Sequence, residues 1–264
     1  MLFMIGKIRK KINFLFKNKI RIVGLIRMRN EELILEDTLN SFSDIVDGII
    51  VYDDASTDSS VEIAKKHPNV IEIIENEKWK KNRAEEETRH RQTLLDCAKK
   101  YKPEWIFYSD CDERFEGDIR DFLVSKNSNE VDGIRISLFD AYITENDKKQ
   151  YESGKLYDFR KYFGPEKRDI LMIWRNLPEV KFEGLDKREP VVKGTIVTRF
   201  YCQHYGKSLS VEHWEQTCDY YANSFPKYAD KWKKRKGKAI HDSSDFNRKL
   251  ESWEDVKRKA VKIN

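Results

Sequence analysis

Short apolar runs alternate with polar, helix-like stretches through the first 110 residues. Ile22-Val23-Gly24-Leu25-Ile26, Gly48-Ile49-Ile50-Val51-Tyr52, Val70-Ile71-Glu72-Ile73-Ile74 and Trp105-Ile106-Phe107-Tyr108 are brief and rich in β-branched or aromatic residues, the pattern of buried strands. Helices are predicted between them, from Arg27 to about Ser41, around Val61, Ile63 and Ala64 as far as His67-Pro68, and over 83–100. Strands and helices alternating at this interval predict βαβ units on a parallel sheet, an α/β fold. The second half is less regular. Residues 131–138, 170–174 and 195–201 read as strands, 146–164 as a polar and aromatic loop, and 210–228 as an amphipathic helix.

Chemistry enters where two of these strands stop. Asp53 and Asp54 follow the second, and Asp110 and Asp112 follow the fourth. In a parallel sheet those ends share one edge, the crevice where open α/β sheets bind ligands. Two hard oxygen donors one residue apart suit Mg²⁺ or Mn²⁺, with coordination positions left over for substrate phosphates. A lone Asp-x-Asp also serves as an ordinary cap after a strand. The coincidence of two acid pairs at one edge is what makes it specific.

Charge changes the picture at one end. The chain has 51 basic and 46 acidic residues, but residues 1–21 hold seven Lys/Arg and no acid, so the remainder carries 44 against 46. The basic excess belongs to the tail, which argues against a nucleic-acid partner for the body. Within residues 1–19, Leu2, Phe3, Ile5, Ile8, Ile12 and Phe14 interleave with Lys7, Arg9, Lys10 and Lys11. Such a basic amphipathic segment either lies in an anionic membrane surface or packs on its own domain. Cys97, Cys111, Cys202 and Cys218 form no C-x-x-C pair, and a zinc site through Cys202, His204 and Cys218 lacks recognised spacing. Structural disulfides are therefore not expected. No run of 18 apolar residues and no signal peptide is evident, so a cytoplasmic protein is expected, with its tail available to the inner face of the membrane. The expected organisation is the tail (1–19), one domain (20–228, in halves 20–115 and 116–228) and a charged C-terminal extension (229–264).

The ordered motifs resemble the family-2 type of glycosyltransferase with the nucleotide-diphosphosugar (GT-A) fold. Arg29-Asn30-Glu31-Glu32 resembles its opening R-N-E-E, and Val51-Tyr52-Asp53-Asp54-Ala55-Ser56-Thr57-Asp58 resembles V-D-D-G-S-T-D with Ala55 in place of glycine. Arg91-Gln92 with Leu95 and Ala98 resembles R-N-x-a-L-x-x-A, and Asp110-Cys111-Asp112-Glu113 resembles the D-A-D-E form of Asp-x-Asp. Past residue 115 the likeness is patchy. Trp174-Arg175 through Phe182-Glu183-Gly184 is similar to an R-L-F-R…F-x-G strand pair, and His204-Tyr205-Gly206 to a late H-Y-G.

The resemblance implies a metal-dependent, inverting transfer from a nucleotide-diphosphosugar, a UDP-sugar first among donors, to a saccharide or lipid-linked acceptor in cell-surface polysaccharide synthesis. Asp53 or Asp54 then accepts from the base or ribose, Asp53 being the base contact by the resemblance, with Arg27 or Arg29 in the same pocket. Arg91 faces the diphosphate, where a guanidinium fork suits phosphate oxygens. Asp110 lies nearer ribose and metal, Asp112 ligates the ion, and His204 completes the metal site. An inverting transfer also needs a carboxylate to take the acceptor's proton. The segment after F-x-G offers Asp186 first and Glu189 second, with the family's spacing not reproduced. His67, His90, His213 and His241 read as surface or packing residues. The rival readings are a sugar-phosphate nucleotidyltransferase, which would want a Gly-rich loop after the first strand, an Asp-x-Asp phosphatase, and a scaffold that kept the fold without its chemistry.

Overall fold

The computed structural model describes residues 19–80 and 82–263. The membrane-facing reading of the basic tail falls on residues outside that range, apart from Lys19.

The first half forms as its apolar pattern dictates. Strands β1 (Ile22–Met28), β2 (Gly48–Asp53), β3 (Val70–Glu75) and β4 (Trp105–Asp110) pair in parallel in the order β3-β2-β1-β4. Helices α1 (Leu35–Ser43), α2 (Ser60–Lys66) and α3 (Arg83–Lys100) connect them. Side chains alternate across a pleated strand, so each strand feeds two cores. Ile22, Ile26, Trp105 and Phe107 pack with Leu35, Leu39 and Phe42 of α1. Val23, Leu25, Ile106 and Tyr108 pack with Leu94, Leu95 and Ala98 of α3. Gly24 lies where α1 comes closest, and a Cβ there would sit 2.5 Å from Phe42 Cε1.

One element differs from expectation. The helix predicted to open at Arg27 starts at Leu35, because β1 runs on to Met28 and the chain then turns, with Asn30 at φ 54°. The N–H groups of Asn30, Glu31 and Glu32 are taken by Ser56 Oγ, Ser60 Oγ and Asp58 Oδ2 at 3.0, 2.8 and 3.1 Å. The polar segment after β1 is thus a loop stitched to the loop after β2, above the strand ends.

The second half continues the sheet with mixed polarity. After β5 (Glu113–Glu116) and α4 (Ile119–Val124) come β6 (Gly133–Ala141), β7 (Phe163–Arg175) and β8 (Ile196–His204), extending the order to β4-β7-β6-β8-β5. β7 is longer than its apolar core suggests. Its polar start pairs with β6 on one side and with β9 (Val261–Lys262) on the other, so the ladder overrides weak local propensity. Helices α5 (Val211–Ser224), α6 (Ala229–Arg235) and α7 (Trp253–Lys259) follow β8. Trp253 and Val256 of α7 join the same core as β1 and β4, with Trp253 against Phe139 and Phe163 at ring distances of 5.5 and 5.0 Å. The charged C-terminal segment therefore helps close the core. Among the described residues no helix is long and apolar enough to cross a membrane.

Candidate functional site

The ends of β1, β2 and β4 bring the predicted carboxylates to one edge. Asp53 accepts the Ser56 N–H at 3.2 Å on each oxygen, a turn closed by its own side chain, and burial pushes its carboxyl up. Ala55 holds φ 58°, the left-handed conformation that the glycine of the resembling motif would supply without strain.

Asp54 departs from expectation. It is buried against Arg83 and accepts from Asn76 Nδ2 at 3.0 Å, so it is turned inward, away from any ribose. Arg83 also reaches Glu87 at 3.2 Å, and Glu87 in turn binds Arg27 and, at 3.1 Å, Arg91. Arg91 donates to the Lys187 carbonyl as well, which leaves less of its fork for a diphosphate than the sequence reading gave it. Arg29 donates to the Asp54 carbonyl at 2.8 Å, and both Arg29 and Arg83 lie over the Trp79 ring, 4.9 and 5.2 Å from its centre. Arg27, Asp54 and Arg91 are thus tied into one buried network through Arg83 and Glu87, with Arg29 on the Asp54 carbonyl and Asp53 outside it in the Ser56 turn. Sequence reasoning passed over both Arg83 and Glu87. The signal was present, because Arg83, Glu87 and Arg91 recur at i, i+4 on the α3 stripe that turns apolar only at Leu94 and Leu95.

This buried network has a pH consequence. Burial opposes the Glu87 charge, but Arg27 and Arg91 outweigh it and hold its carboxyl at about 2. Burial keeps His90, stacked on Tyr52, neutral down to about 4 despite the pull of Asp54. An unfolded chain protonates histidine near pH 6.5 and glutamate near 4.3. Below each value the unfolded state binds the extra proton, so the stability contributed by His90 and Glu87 is full above pH 6.5 and falls as pH drops towards 4 and then 2. The urea midpoint of the wild type relative to that of His90→Gln should therefore fall between pH 7 and pH 4.

The second acid pair splits. Asp110 accepts from the Tyr108 hydroxyl at 2.9 Å and lies 3.3 Å from Arg188, which also pairs with buried Glu113. Burial pushes Glu113 up against the pull of Arg188, and Asp110 and Asp112 push it further. Asp112 turns the other way, with Oδ2 3.3 Å from His204 Nε2. Backbone pairing explains why residues so distant in the chain meet. β5 runs antiparallel to β8 with Glu113 opposite His204, and the Tyr205 N–H binds the Asp112 carbonyl at 2.9 Å. On the other side of β8, Asp140 of β6 lies opposite His204 and holds its Nδ1 at 2.6 Å.

These residues fit a divalent cation. A carboxylate oxygen and an imidazole nitrogen converge, and the carboxylate on Nδ1 fixes the ring so that Nε2 faces Asp112. The space is kept by Gly206, where a Cβ would fall 2.5 Å from Asp112 Oδ2 and 3.0 Å from His204 Nε2. Burial opposes the histidine's charge, yet Asp112 and Asp140 raise its pKa to about 9, so the pocket favours positive charge at that point. Conversely burial opposes ionisation of Asp112, and His204 outweighs it, lowering the carboxyl to about 2. Glu31, from the loop after β1, faces the same acids: burial, then Asp112 and Asp110, push its carboxyl well up. Among the described residues no group of three or more Asp, Glu, His or Cys side chains converges, so the protein supplies a pair of donors and Asp110 stands apart from them. Cys202 and Cys218 are buried in separate clusters, which removes the zinc arrangement with His204.

The two predicted bases lie apart. Asp186, at φ 52°, donates its N–H to the Ala84 carbonyl at 2.7 Å and borders a cavity of about 600 Å³ shared with Arg83 and Phe225. Glu189 is committed to Arg135 through hydrogen bonds of 2.9 and 2.7 Å, so its lone pairs serve an ion pair instead of an acceptor hydroxyl. Nothing in the sequence pattern marked Asp140 or Arg188, which matter only through pairings between distant segments.

The family model described as glycosyl transferase family 2 matches residues 25–178. No curated protein matches the chain. Among solved structures, glucosyl-3-phosphoglycerate synthase from Mycobacterium tuberculosis, in complex with Mn²⁺, uridine diphosphate and glucosyl-3-phosphoglycerate, is 17% identical over 46% of this chain, with a TM-score of 0.31. The chain spans 44% of that synthase's length. A 4-diphosphocytidyl-2C-methyl-D-erythritol synthase is 13% identical over 92% of this chain and 97% of its own, with a TM-score of 0.35.

Proposed function

This chain belongs to glycosyl transferase family 2, and on that premise we propose that it is a metal-dependent, inverting glycosyltransferase. In this reading it moves a sugar from a nucleotide-diphosphosugar, a UDP-sugar first among candidates, to a saccharide or glycolipid acceptor of the cell surface. The observation that carries the reading is the Asp112–His204 pair, 3.3 Å apart, backed by Asp140 and kept open by Gly206.

Asp112 and His204 are the residues that would hold Mn²⁺ or Mg²⁺. Bound there, the cation would offset negative charge growing on the leaving diphosphate. Asp53, Arg27 and Arg29 line the side that receives the nucleoside, where the Asp53 carboxylate suits a base N–H and the Trp79 ring is already faced by cations. Asp110 lies between the two regions, and Arg188 steadies it against the repulsion of Glu113. Asp186 remains the base we assign, since its carboxylate is exposed and unpaired among the described residues whereas that of Glu189 is occupied.

A panel of nucleotide-diphosphosugars, assayed for transfer and for slow hydrolysis with and without Mn²⁺, tests this. Turnover of at least one donor should appear with Mn²⁺ and vanish on chelation. A protein that binds and turns over no member of the panel is a scaffold, and the proposal fails.

A further inference from the structure

The site opens into a cleft of about 1050 Å³ that begins at Asp112, Asp140 and His204 and runs along α5, α6 and residues 238–247. Six cations line it, Arg168, Lys207, Lys231, Lys234, Arg235 and Lys238, against four carboxylates, Asp112, Asp140, Asp242 and Asp245. Two of the cations are spent internally: Lys207 binds Asp140 and Asp245, and Arg235 binds Asp245. The others are not. Arg168 gives one nitrogen, Nη2, to Asp140 and His204, and its Nε and Nη1 have no partner among the described residues. Lys231, Lys234 and Lys238 are exposed and form no ion pair among the described residues. This is not the background of the molecule, because the chain after residue 21 has 44 basic and 46 acidic residues.

Aromatic surface accompanies the charge. Tyr221 and Trp232 line the cleft stacked on each other at 4.5 Å, with Arg235 over Trp232 and the buried Trp214 behind them, and Phe246 at the rim is 54% exposed. The exposed Phe246 ring beside hydrogen-bonding groups suits a pyranose face, and free guanidinium and ammonium groups suit an anion on it.

We propose that this cleft takes an acceptor saccharide that carries a phosphate or carboxylate, gripped by Arg168 next to the Asp112–His204 pair and by Lys231, Lys234 and Lys238 farther along. The inference rests on the glycosyltransferase reading and narrows it to acidic acceptors. The acceptor's anion then lies against the lysine wall, so charge sets the acceptor's orientation.

The test uses the full chain saturated with UDP and Mn²⁺, so that the diphosphate position is filled. Glucose, glucose 6-phosphate and glucuronic acid are titrated in, and binding is followed by calorimetry and by intrinsic tryptophan fluorescence. At least one acidic sugar should bind about tenfold or more tighter than glucose. The triple variant Lys231→Glu, Lys234→Glu, Lys238→Glu should lose that preference while binding UDP–Mn²⁺ within about twofold of the parent. Equal or absent binding of the three sugars overturns the inference, as does a preference that survives both the triple variant and Arg168→Gln. If UDP and Mn²⁺ themselves fail to bind, and other nucleoside diphosphates do likewise, it is the glycosyltransferase reading that falls.

Discussion

Replacing Asp112 with asparagine is expected to lower sugar transfer by about 10²- to 10³-fold and to weaken Mn²⁺-assisted nucleotide binding by about 10- to 100-fold, with the fold intact. Asparagine keeps the shape of the side chain and the backbone bond from Tyr205, so β5 and β8 stay paired. What disappears is the negative charge facing His204 Nε2. The remaining neutral amide oxygen is a much poorer donor for a divalent ion, and His204 loses the partner that, after burial, most affects its proton affinity. Initial rates over a Mn²⁺ series, calorimetry with the nucleoside diphosphate, and a thermal melt separate chemistry from folding. Wild-type rates with an unchanged Mn²⁺ dependence would remove Asp112 from the metal site.

The second large effect is on stability. Arg83→Met should cost about 3–5 kcal/mol, the usual penalty for stripping one partner from a buried ion pair. Both side chains of the Arg83–Asp54 pair are 1% exposed, so the stranded Asp54 carboxylate cannot recover its solvation. Asn76 still donates to it, but one neutral hydrogen bond does not balance a buried charge. Adding Asp54→Asn to Arg83→Met should recover part of the loss, which a double-mutant cycle in urea measures directly. A single-variant cost below about 1 kcal/mol would show that Asp54 is solvated or neutral in the folded protein.

Much of this architecture was legible before any coordinates. The four apolar runs of the first half became four parallel strands because fully buried strands need continuous apolar sequence, and that pattern survives averaging over one chain. Asp53, Asp110 and Asp112 were legible for a related reason: each follows such a run, and strand ends fix position. The segment after β1 was misread because Glu31, Glu32 and Leu35 mimic a helix start, while the true partners of its N–H groups lie on another loop. Asp140 and Arg188 carried no local mark. Their roles come from β6 beside β8 and from the loop after residue 184 folding back onto β4, contacts decided by tertiary pairing. Glu189 looked as available as Asp186 in the sequence, and only the position of Arg135 on β6 distinguishes them.

The ladder joining β5 to β8 has one more implication, for when this protein becomes competent. A growing chain that has emerged as far as Glu116 already carries Asp53, Asp110 and Asp112, yet it lacks the imidazole partner His204, which arrives only with the final long strand. Contacts spanning so much sequence form late. A half-made molecule therefore holds Asp112 without its imidazole, and the pair is assembled only once the edge of the sheet has been zipped shut.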